Sequence, residues 1–122
     1  MKKSFKKLQQ KWGYSVIGLI TAFKEEKSLI AYLILFAGLV GLGVYAELSM
    51  IQWVVLSLIM FLTICIEVLN TALEAAVDTI SFQYNVKVKK IKDIASAATL
   101  VMTIGAMIGI VLIFVSAFTE VL

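Results

Sequence analysis

Three stretches without a charged side chain set the limits on what this chain can fold into: Ser28 to Ala46, Leu48 to Ile66 and Ile94 to Thr119. At a helical rise of about 1.5 Å per residue, each is long enough to cross a hydrocarbon core of about 30 Å. Proline is absent, so no span is interrupted by a ring that lacks its N–H. A water-soluble domain is excluded on composition, because 61% of the residues are hydrophobic and 16% charged. Ordinary globular chains run at about 45–50% and about 25%. A length of 122 residues leaves room for a single domain, 1–122.

The chain therefore reads as an all-α membrane protein with three transmembrane helices. The expected spans are 28–46, 48–81 and 94–119, the second continuing past its charge-free part because apolar residues persist around the acids that follow. Ahead of them, Phe5, Leu8, Trp12, Val16, Leu19 and Phe23 recur at steps of three or four, with lysines on other faces. That is the stripe of an amphipathic helix, expected over 1–27 and lying along the membrane interface. A signal peptide is the competing reading of Tyr14 to Phe23. It is set aside because that run ends in Lys24-Glu25-Glu26-Lys27 and not in small residues.

Lysine placement orients the spans. Lys2, Lys3, Lys6, Lys7, Lys11, Lys24 and Lys27 precede the first; Lys87, Lys89, Lys90 and Lys92 lie between the second and third. The segment around Glu47 and the end at Glu120 have none. With three spans both basic segments fall on one side, which the positive-inside rule makes the cytoplasm. The N-terminus is expected inside and the C-terminus outside. Nucleic acid is not an expected partner: the positive charge is all lysine and flanks apolar spans.

Chemistry is narrowed by what is missing. Histidine is absent, so acid–base work falls to carboxylates, lysines or tyrosines. Cys65, the only cysteine, has no partner for a disulfide or a metal and reads as a small apolar side chain. Against that background the second span carries Glu67, Asn70, Glu74 and Asp78 on one helical face. An ionisable group at mid-span costs about 2.5–3.5 kcal/mol even on lenient scales, so three acids on one face call for a function. Asp78 alone is nearly as well explained as an acid at the watery end of the helix, capped by nearby lysines.

Spacing divides the stripe. Glu67 and Glu74 lie about 10 Å apart along the axis, too far to ligate one magnesium ion whose oxygens sit at about 2.0–2.1 Å. One acid could hold a metal near the interface while the deeper one serves a membrane-embedded substrate. Glu25 and Glu26 could supply a second ligand. The segment from Phe82 to Asp93, expected as a loop, brings its lysines near the stripe, and lysine is a good point charge for phosphate. For Lys87, Lys89 and Lys90 a topological role suffices; Lys92 with Asp93 is the better phosphate candidate. Together these features suggest phosphoryl transfer to a lipid hydroxyl, although neither a P-loop nor a kinase glycine-rich loop is present. Gly105 and Gly109 form a GxxxG pair, which more often permits close helix packing.

The run Glu67-Val-Leu-Asn70-Thr-Ala-Leu-Glu74-Ala-Ala-Val-Asp78 resembles the signature E-x-x-N-[ST]-A-[IL]-E-x-x-[VI]-D of the small bacterial integral-membrane lipid kinases, the prokaryotic diacylglycerol kinase family, which includes undecaprenol kinase. Gly13-Tyr14-Ser15, Gly18-Leu19, Glu26, Lys92-Asp93 and Ser96-Ala97-Ala98 also match, in order and with compatible spacing. The resemblance implies a homotrimer in the bacterial cytoplasmic membrane, with sites between subunits that use ATP and Mg2+. It implies Glu67 as the base for the lipid hydroxyl and Asn70 as the residue that orients it. Glu26 and Glu74 match the metal pair. Tyr14, Glu26, Glu74, Gln83, Tyr84, Asn85, Lys92 and Asp93 match nucleotide contacts, Ser96 a lipid contact, and Asp78 a supporting position. Lys7 falls where better-known members have arginine; it keeps the charge and loses the bidentate fork. Thr71 after Asn70 resembles the undecaprenol kinase branch, which implies undecaprenol as acceptor with diacylglycerol the alternative.

Two other classes compete. A small proton-coupled transporter also uses intramembrane acids, but it would not need them clustered at one end beside lysines. A membrane adaptor would not need a stripe over three helical turns.

Overall fold

A computed structural model describes residues 1–80 and 86–119 of the chain. Four helices account for nearly all of them: α1 (Lys2–Glu25), α2 (Lys27–Tyr45), α3 (Met50–Ile80) and α4 (Val86–Thr119). The last three are long and apolar enough to cross a membrane. Only 17% of each span's most apolar stretch is buried inside the chain, so the rest of its surface needs lipid or other protein around it. This is a multi-pass membrane protein preceded by an amphipathic helix.

The breaks between helices have local causes. Between α1 and α2 a single residue, Glu26, leaves helical geometry (φ −113°, ψ 110°). Its N–H still bonds to the Ala22 carbonyl at 2.9 Å and its own carbonyl accepts from Leu29 N–H at 3.3 Å. One residue thus closes one helix and opens the next. Within α1 the stripe side chains Phe5, Trp12 and Leu19 stay exposed and Ala22 alone is buried. The apolar face of α1 is consequently left to something outside its own chain, as an interfacial helix requires.

α2 ends in a Schellman motif. Leu48 N–H reaches the Gly43 carbonyl and Glu47 N–H the Val44 carbonyl, each at 3.2 Å, with Glu47 left-handed at φ 55°. α3 then opens on a capping box: Gln52 N–H donates to Ser49 Oγ at 3.2 Å, and Ser49 N–H donates to Gln52 Oε1 at 2.8 Å. These paired ends place the start of the second span at Met50, not at the expected position 48.

α3 and α4 form an antiparallel hairpin with one register along its length. At one end Gln52 Nε2 donates to Ser116 Oγ at 2.9 Å. Further along, Gly109 lets α4 approach so closely that a Cβ there would sit 2.7 Å from Ile59 Cδ1. At the other end Asp78 meets Lys92. The GxxxG pair is thus only half used among the described residues, none of which outside α4 comes within 4 Å of a Cβ placed at Gly105. The core, Leu48, Leu56, Ile113 and Phe114, gathers at the Gln52 end, with Trp53 and Ile110 packed around it. Cys65 is exposed on the apolar surface.

The third span differs most from expectation. α4 begins at Val86, so Lys87, Lys89, Lys90 and Lys92 occupy its first turns and not a loop. A charge-free run marks the part of a helix inside hydrocarbon. It does not mark where the helix begins, and lysine is a good helix former. The pair Lys89–Asp93, one helical turn apart at 2.7 Å, supports that extension.

Candidate functional site

The stripe lies on the half of α3 that points away from the core. Glu67, Asn70 and Glu74 are half-buried and Asp78 is exposed. The apolar run before Glu67 keeps α3 helical, and Thr71 stays compatible with the helix by bonding its hydroxyl back to the Glu67 carbonyl at 3.0 Å.

Each member has its own neighbour. Ser28 Oγ, at the start of α2, donates to Glu67 Oε1 at 3.0 Å. That bond brings the deepest acid beside the α1–α2 break, two residues from the half-buried Glu26. Asn70 Nδ2 donates to Glu74 Oε1 across a long 3.4 Å, and Asn70 Oδ1 is buried without a partner. Asp78 Oδ1 accepts from Lys92 Nζ on α4 at 2.6 Å. The structure thus gives Asn70 a contact to Glu74 and Glu67 a bond from Ser28.

The remaining candidates are spread around this face. Lys7 and Tyr14 are exposed on α1 and line an open depression of about 400 Å³ together with Gln10, Lys11 and Ser15. Asp93 is exposed and tied to Lys89; Ser96 is exposed on the next turn of α4. Gln83, Tyr84 and Asn85 lie outside the described residues. Between α1 and α3 runs a groove of about 520 Å³ lined largely by small residues, Gly18, Ala22, Ala72 and Ala75 among them, together with Glu25 and Thr71.

No three acids gather into a preformed cation site among the described residues. This is compatible with magnesium, which commonly takes one or two carboxylates and completes its shell with phosphate oxygens and water. Glu74, whose Oε1 has only a long amide contact, and Glu26 offer such hard oxygen donors.

Sequence reasoning missed Ser28 and the Gln52–Ser116 bond. Ser28 had a readable signal, a polar residue at the first position of a charge-free run. Gln52 and Ser116 are far apart in the chain, and only the hairpin register joins them.

The family model for prokaryotic diacylglycerol kinase matches residues 13–114, which includes the whole stripe and the start of α4. The chain belongs to the prokaryotic diacylglycerol kinase family. Over 99 residues it is 35% identical to a diacylglycerol kinase of Helicobacter pylori, covering 81% of this chain and 77% of that protein. It is 32% identical over 96 residues to the diacylglycerol kinase of Escherichia coli, covering 79% of each. An undecaprenol kinase of Bacillus subtilis is 36% identical over 72 residues, covering 59% of this chain and 58% of that protein. These are kinases, so the transporter reading gains no support from the comparisons.

Proposed function

We propose that this chain transfers the terminal phosphoryl group of ATP to the hydroxyl of a membrane lipid alcohol, with undecaprenol the preferred acceptor and undecaprenyl phosphate the product. The observation that carries the reading is the stripe on α3, a deep carboxylate held by Ser28 and a shallower one beside Asn70, inside a family of kinases.

In this reading Glu67 takes the proton of the lipid hydroxyl as the new O–P bond forms and the bond to the leaving ADP breaks. The Ser28 hydrogen bond holds its carboxylate in place, leaving lone pairs on the other oxygen for the substrate. Glu26 and Glu74 would hold Mg2+, which would supply positive charge to offset that of the ATP phosphates in the transition state. Asn70 orients the base, Glu67; its amide also makes a long contact to Glu74, and its unpartnered Oδ1 is open to a donor from the substrate or a neighbouring subunit. Lys92 supplies positive charge for phosphate, Asp93, Lys7 and Tyr14 contact the nucleotide together with Gln83, Tyr84 and Asn85, and Ser96 meets the lipid.

Three helices per chain are too few to enclose a lipid headgroup and shield the acids from hydrocarbon, which supports a homotrimer with sites completed by neighbours. The lysines of α1 and early α4 support a site on the inner side of the bacterial cytoplasmic membrane, where ATP is available.

Diacylglycerol is the second reading, favoured by the longer matched length with the Helicobacter pylori protein. Labelled ATP supplied to the purified, reconstituted protein with undecaprenol and diacylglycerol in parallel tests both. Faster labelling of undecaprenol supports the first, faster labelling of diacylglycerol replaces it with the second, and labelling of neither removes the kinase reading.

A further inference from the structure

We propose that Asp78 is a positioning residue that holds the Lys92 ammonium group at the open end of the acid stripe, ready for the phosphates of the nucleotide. The inference rests on the kinase reading above and gives the pair a task within it.

Asp78 stands where its own helix disfavours it. It is in the last turn of α3, whose carbonyl end carries partial negative charge, and no basic residue lies in that turn to offset this. Lys92 is on the second turn of α4, beyond the reach of that helix's N–H end. Helix energetics within α3 therefore do not account for an acid at position 78. What the arrangement achieves is a contact between elements.

That contact is a consequence of how the helices pack. The antiparallel register that pairs Gln52 with Ser116 and seats Gly109 on Ile59 is the same register that brings Asp78 to Lys92. One buried bond and one close helix contact at a distance therefore set the register in which these side chains meet.

The geometry suits presentation of the ammonium to a further anion. Lysine has three N–H donors on a flexible four-carbon stem. The 2.6 Å bond to Asp78 Oδ1 uses one and restrains the stem, leaving two for phosphate oxygens. The adjacent acid, Asp93, does not compete, because Lys89 engages it at 2.7 Å. Asp78 is 62% exposed, so its ion pair contributes little to folding. Its effect belongs in nucleotide binding.

The test is steady-state phosphate transfer against MgATP, at saturating lipid, for the full chain reconstituted in lipid. Asp78→Asn should raise the KM for ATP about fivefold, the size of one exposed ion pair, with kcat within about twofold. Asp78→Glu should restore most of the affinity, and Asp78→Asn should add nothing in a Lys92→Gln background. A purely structural role would instead lower the unfolding midpoint and leave KM alone. If Asp78→Asn does not assemble, the swap Asp78→Lys with Lys92→Asp keeps the pair and should fold with a strongly raised KM. A swapped protein with normal KM overturns the inference. So does an active wild type whose Asp78→Asn variant keeps its KM, or additive effects of the two substitutions. A wild type that phosphorylates no lipid alcohol overturns the kinase reading as well, which separates the two failures.

Discussion

The two ends of the α3–α4 hairpin are built on opposite terms. At the Gln52 end, the serine and glutamine of the capping box satisfy each other, and Gln52 still reaches Ser116. Leu56 is fully buried and the core closes around it. At the Glu67 end, three acids share a face with an asparagine whose Oδ1 is buried and unpartnered and whose amide makes only a long bond. A buried acceptor without a partner costs about 1–3 kcal/mol, a cost that the satisfied Gln52 end does not carry. One end makes the hairpin, and the other carries the acid stripe.

If that division is right, substitutions at the two ends should affect different measurements. Glu67→Gln is expected to have the largest effect, reducing kcat by about 10²–10⁴-fold, the usual contribution of a general base. Its unfolding midpoint should stay near wild type, because glutamine keeps the shape and can still accept from Ser28. Near-normal turnover in this variant would remove Glu67 from the chemistry. Leu56→Ala should do the reverse, costing about 2–5 kcal/mol of stability through the cavity it leaves. The protein that remains folded should keep its KM values. A Leu56→Ala enzyme that is stable yet slow would mean the two ends are coupled after all.

How much of this could be read beforehand depends on the range of each interaction. The spans were visible because bilayer thickness imposes a length on apolar runs, and the stripe because acids stand out against such a run. The start of α4 was not, since hydrophobicity stops at the hydrocarbon boundary while helical hydrogen bonding continues through Lys92 to Val86. Asn70 contacts Glu74, one turn away on α3, and the serine that holds Glu67 comes from α2. Local spacing could have found the first of these contacts, and only the packing of α2 on α3 could show the second. Ser49 and Gln52 were readable as a capping box, and their reach to Ser116 was not.

The smallest expected effect lies in the turn between α2 and α3, at the stable end. Glu47 occupies the left-handed position of the Schellman motif at φ 55°, a place where glycine is preferred. For a residue with a Cβ this conformation costs about 1–2 kcal/mol. Glutamate is exposed there, and replacing it forfeits no buried contact. Glycine would relieve the strain but give back about 0.4–1 kcal/mol through the greater freedom of the unfolded chain. Glu47→Gly should therefore stabilise the protein by about 0.5–1 kcal/mol, seen as a higher midpoint in a denaturant titration in detergent. Phosphate transfer should be unchanged, since the turn is at the far end of α3 from Glu67. A lower midpoint would show that the glutamate side chain contributes more to this turn than its backbone costs. A change in turnover would mean that the turn and the stripe are energetically connected, against the division drawn between the two ends.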